Sequence, residues 1–102
     1  MQERPIPPAA LDDKDSVEML RVWIAGGSLH TSLKVGMYKE TMSVSEEKAW
    51  GKILADTARH ISRALAQGYD AHSGKSLDAI QQHFNSQLEK PNTDITGSVI
   101  KK

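Results

Sequence analysis

The segment Val17 to Tyr38, VEMLRVWIAGGSLHTSLKVGMY, constrains the fold more than any other part of the chain. Gly26-Gly27 sits between two runs rich in strand formers and can supply the positive φ angles of a two-residue primed turn. A β-hairpin with the glycines at its tip pairs Ile24 with Leu29, Val22 with Thr31, Leu20 with Leu33 and Glu18 with Val35. That face is mostly apolar and needs cover. The second strand alternates, with Leu29, Thr31, Leu33, Val35 and Met37 on one side and His30, Ser32, Lys34, Gly36 and Tyr38 on the other. The first strand is apolar on both sides, because Val17, Met19 and Trp23 face away from Leu20, Val22 and Ile24. A strand of that kind is usually central or covered twice.

Cover for one face is available downstream. Trp50, Ile53, Leu54, Thr57, Ala58, Ile61, Ala64 and Leu65 fall within an arc of about 140° on a helical projection. Ser43 and Glu46 have the spacing of a capping box, so this first helix is expected to begin near Ser43. Gly68 stands where a left-handed C-terminal cap is expected. The linker Tyr69 to Lys75 then reaches Ser76, the expected N-cap of a second helix that ends before Pro91. Its stripe of Leu77, Ile80, Phe84 and Leu88 is narrower.

These elements define an α+β class. An antiparallel hairpin packs on one long amphipathic helix, a shorter helix lies beside it, and the hairpin edge is left for a terminal strand or a dimer mate. Residues 1–16, with Pro5, Pro7 and Pro8, read as an extended arm in which Ala9-Ala10-Leu11 can form a helical turn. Residues 17–90 form the single domain. Residues 91–102, with Ile95, Val99 and Ile100, read as a flexible tail or a short extra strand. The 102 residues suffice for one domain that buries roughly two-thirds of its unfolded surface.

Composition removes several function classes. Thirteen basic and thirteen acidic residues cancel, so no global field recruits nucleic acid or an acidic membrane. The chain has no cysteine, which excludes disulfides, thiolate metal sites and thiol catalysis and fits a reducing cytoplasm. No run approaches the roughly eighteen apolar residues of a membrane helix, and the N-terminus lacks a signal-peptide core. A cytoplasmic location and no membrane association are therefore expected.

The order PIPPAAL, SVEMLRVWIAGGSLHTSLKVGMY and EKAWGKILADTARHISRAL resembles a family of small bacterial proteins classed as a domain of unknown function. The resemblance runs from about Pro5 to Leu65. It rests on the proline-leucine arm, the VWIAGGSLH hairpin tip and the AWGKILADTARHI helix. It implies no activity, cofactor or catalytic residue.

Four patterns invite chemistry. Gly68 to Ser76, GYDAHSGKS, approximates a phosphate-binding loop, but five residues separate its glycines where that motif has four, and a helix rather than a strand precedes it. Asp56 and His60 are one helical turn apart and read as a surface pair without the further ligands a metal needs. Lys48, Lys52, Arg59 and Arg63 make a basic ridge opposite the apolar stripe, which reads as a solvated face bordered by Asp56. Val17, Met19, Arg21 and Trp23, with His30 opposite Trp23, form a mixed apolar patch of the composition found at protein interfaces.

The reading by elimination is a non-catalytic protein-interaction module that self-associates, with Val17, Met19, Arg21, Trp23 and His30 as its interface. No catalytic, metal or cofactor residues are assigned. The alternative is a nucleic-acid-associated accessory protein using Lys48, Lys52, Arg59 and Arg63.

Overall fold

The structure, a computed structural model, describes residues 1–41, 43–90 and 96–101. Of the expected tail, residues 91–95 and 102 lie outside the described residues. In chain order the elements are α1 (Pro8–Asp12), β1 (Leu20–Ala25), β2 (Ser28–Val35), α2 (Met37–Thr41), α3 (Glu46–Tyr69), α4 (Ser73–Glu89) and β3 (Thr96–Lys101). The class is α+β, as the periodicities require.

The hairpin has the register that the glycine pair dictates. Leu20 faces Leu33, Val22 faces Thr31, Trp23 faces His30 and Ile24 faces Leu29. Gly26 and Gly27 have φ of 58° and 77°, the two positive angles of a type I′ turn, whose twist matches that of the strands it joins. The terminal strand β3 lies parallel to β2 with Leu33 opposite Val99, giving the order β1-β2-β3. Of the alternatives open for the tail, residues 96–101 take the strand.

Gly36, at φ 100°, turns the chain out of β2 into α2. Two expected caps of α3 shift. Ser43 has φ 51° and lies outside the helix, while the Ser45 hydroxyl accepts from the Lys48 backbone N–H at 3.2 Å. At the other end the helix runs through Gly68 to Tyr69, and Asp70 takes the left-handed conformation instead. An aspartate tolerates that region because its short polar side chain bonds locally. The N-cap of α4 shifts likewise. His72, not Ser76, precedes the helix, and its Nδ1 accepts from the Lys75 N–H at 3.3 Å. The phosphate-loop look-alike is thereby consumed as a helix start: Gly74 lies in the first turn, where a Cβ would come within 3.1 Å of the His72 ring.

Helices α3 and α4 pack together, and α2 packs against the start of α3. Between the two helices runs a groove lined by Gly51, Ala55 and Ala58 of α3 and Leu77, Ile80 and Phe84 of α4. Ser62 continues that α3 stripe and is 2% exposed, its hydroxyl donating to the Ala58 carbonyl at 3.0 Å. A buried hydroxyl satisfied within its own helix costs little, and its small volume lets the helices approach. Apart from Ser62, only Ala49 is buried among the described residues, at 8% exposure. The expected burial of the hairpin face under the helix stripe is correspondingly incomplete. Leu20, Leu33, Trp50, Ile53 and Leu65 are half-buried, whereas Val22, Ile24, Leu29, Leu54 and Ile61 are exposed. The stripe divides because α4 draws its own share toward the side carrying Gly51 and Ser62.

Candidate functional site

The interface residues read from sequence sit on or beside β1. Val17 is exposed, whereas Met19, Arg21, Trp23 and His30 are half-buried. The alternation of β1 places Arg21 and Trp23 on one face, with His30 across from Trp23 on β2. The His30 Nε2 lies 3.2 Å from the Ala25 carbonyl, so the imidazole folds back toward the hairpin tip.

Arg21 joins three segments. Its Nε bonds Glu18 Oε1 at 2.8 Å and its Nη2 bonds Glu18 Oε2 at 3.2 Å, a two-point fork, while Nη1 reaches Glu3 at 2.8 Å. The Glu18 hydrogen bonds and charge, followed by those of Glu3, hold the guanidinium above its ordinary pKa. Through Glu3 the N-terminal arm is tethered to β1. Between them lies a cleft of about 720 Å³, with Pro5, Ile6 and Leu11 on the arm side and Leu20, Val22 and Trp23 on the strand side.

The opposite face of the hairpin is more open than the one carrying Trp23. Val22 is 50% exposed, Ile24 79% and Leu29 39%. These three residues lie on paired strands and share a face with no charged neighbour between Leu20 and Leu33.

The basic ridge is partly neutralised within its own helix. Lys52 Nζ lies 2.7 Å from Asp56 Oδ2, and Arg59 Nη1 lies 2.8 Å from Asp56 Oδ1. The hydrogen bond and charge of Lys52, then those of Arg59, depress the Asp56 pKa. The expected Asp56–His60 pair gives way to these two side chains, which sit at i−4 and i+3. Lys48 and Arg63 are exposed on the same helix.

One residue escaped the sequence reading. Glu46, assigned there to a capping box, instead gathers three backbone donors and an indole. Its carboxylate accepts from the N–H of Gly36 at 2.8 Å, Lys39 at 3.0 Å and Tyr38 at 3.1 Å, and from Trp50 Nε1 at 3.2 Å. It thus caps α2 from the first turn of α3. The Gly36 hydrogen bond leads the causes that lower its pKa, opposed by desolvation. The i,i+4 spacing to Trp50 was the only local signal. Among the described residues no group of three or more His, Cys, Asp or Glu side chains is arranged to hold a metal. Nor is any described helix long and apolar enough to cross a membrane.

A glycine-tipped hairpin extended by a parallel terminal strand, joined through a carboxylate clasp to a helical pair, defines a small α+β domain. The chain belongs to the family described as Domain of unknown function (DUF5076), whose pattern matches residues 3–92. It is also similar to a solved chain from the photosynthetic bacterium Rhodopseudomonas palustrus, described as "a putative pyruvate dehydrogenase". That similarity has 25% identity and a TM-score of 0.68, and covers 94% of this chain and 92% of the other. No curated protein matches the chain.

Proposed function

We propose that this chain is a non-catalytic, cytoplasmic protein-interaction module that associates with itself. The observation that carries the reading is the exposed trio Val22, Ile24 and Leu29 on one uncharged face of a paired hairpin. Covering such groups is favourable by about 25 cal/mol per Å² of apolar surface removed from water. Trp23 and Arg21, the residue types that dominate interface energetics, lie on the same strand.

The name carried by the structural relative would make this chain an enzyme acting on pyruvate. Among the described residues, the two carboxylates held below their ordinary pKa argue for a structural role instead. Glu46 is engaged by four donors and Asp56 by two cations, which leaves neither placed as a free base. The nucleic-acid reading is weakened by the same Asp56, which occupies Lys52 and Arg59.

Sedimentation equilibrium across a concentration series tests the proposal. A mass of twice 11.2 kDa is expected. A monomer at every concentration, with no bound protein after capture from lysate, would sink the reading.

A further inference from the structure

The sheet order leaves β1 as an edge strand, since β3 occupies the far side of β2. The Met19 carbonyl accepts from the Lys34 N–H at 3.0 Å, so Met19 and Lys34 form a hydrogen-bonded antiparallel pair. Counting by two along the register, Arg21–Ser32, Trp23–His30 and Ala25–Ser28 are the other such pairs. The backbone N–H and C=O groups of Leu20, Val22 and Ile24 consequently point away from β2, along the outer edge. The cleft beside that edge is lined on its other side by Glu3, Pro5 and Ile6 of the arm, so a strand pairing there displaces the Glu3–Arg21 contact. A strand paired there would lie about 4.8 Å from β1.

Leu20-Arg21-Val22-Trp23-Ile24 has a mirrored chemistry about Val22: an apolar residue two places to each side, and between them a guanidinium and an indole. We propose that the outer edge of β1 pairs with β1 of a second copy, antiparallel, with the two-fold axis at Val22. This deepens the self-association proposed above and rests on it. Val22 then faces Val22 of the second copy, Leu20 faces Ile24, and Arg21 lies across from Trp23, where a guanidinium is attracted to the indole face. All three outward-pointing residues exchange hydrogen bonds. A register centred on Arg21 would oppose two like charges, which is destabilising. One centred on Trp23 would set Leu20 against Gly26, beyond the end of the strand. Among these registers, centring on Val22 alone uses the whole edge without a charge conflict. The product is a continuous six-stranded sheet in which the exposed Val22 and Ile24 side chains cover one another.

The absence of cysteine makes single-thiol cross-linking unambiguous. Val22→Cys, mildly oxidised, is expected to give a covalent dimer on a non-reducing gel, while Leu29→Cys, on the same face but one strand further from the axis, stays uncross-linked. Ile24→Lys, at a highly exposed position that leaves the hairpin intact, is expected to weaken dimerisation at least about tenfold by burying a charge at the seam. Circular dichroism confirms that the variant is folded. A wild-type dimer in which Val22→Cys fails to cross-link and Ile24→Lys still associates would overturn the edge assignment but leave self-association standing. A wild-type monomer overturns both.

Discussion

The Glu46 carboxylate accepts the backbone N–H of Gly36 at 2.8 Å, which ties the end of the hairpin to the start of the long helix. That single contact organises the junction. Gly36 has φ 100°, a conformation that aims its N–H at the helix, and the same carboxylate then closes the first turn of α2 through Tyr38 and Lys39. The clasp thus adds a polar tie to a sheet-helix junction whose apolar residues Leu20, Leu33, Trp50, Ile53 and Leu65 are only half-buried.

Acid should therefore loosen the clasp. The folded pKa of Glu46 lies below its ordinary value, so the unfolded chain takes up the proton first. The stabilisation is complete above the usual glutamate pKa of about 4.3 and is lost as pH falls through the lower folded value. Urea midpoints of the wild type and Glu46→Gln are expected to differ near neutrality and to converge on acidification. Asp56, whose pKa is also lowered, is present in both proteins and cancels in the difference. Midpoints that fall in parallel at every pH would show that Glu46 is not the coupled group.

Glycine substitutions should separate backbone demand from packing. Gly36→Ala is expected to cost about 1–3 kcal/mol, because its positive φ strains any side chain although a Cβ there meets Glu40 only at ordinary distance. Gly51→Ala and Gly68→Ala lie inside α3 with open space around them, and each should gain roughly 0.4–1 kcal/mol. Chemical denaturation of the three variants decides the matter, and equal effects would contradict the conformational account.

Ser62 is the most deeply buried side chain among the described residues, at 2% exposure. Ser62→Leu should destabilise by about 1–3 kcal/mol through overpacking, whereas Ser62→Ala removes a hydroxyl bonded within its own helix and should be nearly neutral. Thermal melts of both variants report the difference. Tolerance of leucine would mean that α4 is free to move off α3.

The basic ridge gives a test of the competing function. Labelled oligonucleotide is expected to remain unbound at physiological salt in a polarisation assay. Tight binding that falls steeply with added salt, and a slope that flattens on replacing Lys52 and Arg59, would promote the nucleic-acid reading instead.

Local chemistry wrote the hairpin legibly. Gly26-Gly27 fixes the turn, and a two-residue turn leaves one register, so every pair from Leu20–Leu33 to Ala25–Ser28 follows. The existence of α3 and α4 was equally plain from their periodicities, because a helical stripe depends only on residues a few positions apart. Their caps were not. Ser43 and Ser45, two residues apart, or His72 and Ser76, four apart, are chemically plausible alternatives, and backbone geometry chooses between them. The sequence by itself determined the elements, the strand register and the neutral, thiol-free character of the chain. Only the tertiary structure decided which donors Glu46 receives, which cations Asp56 takes and which sheet edge β3 closes. The Glu46 clasp and the β3 pairing join segments far apart in sequence, whereas Asp56 had His60, Lys52 and Arg59 all within helical reach, and spacing alone did not rank them.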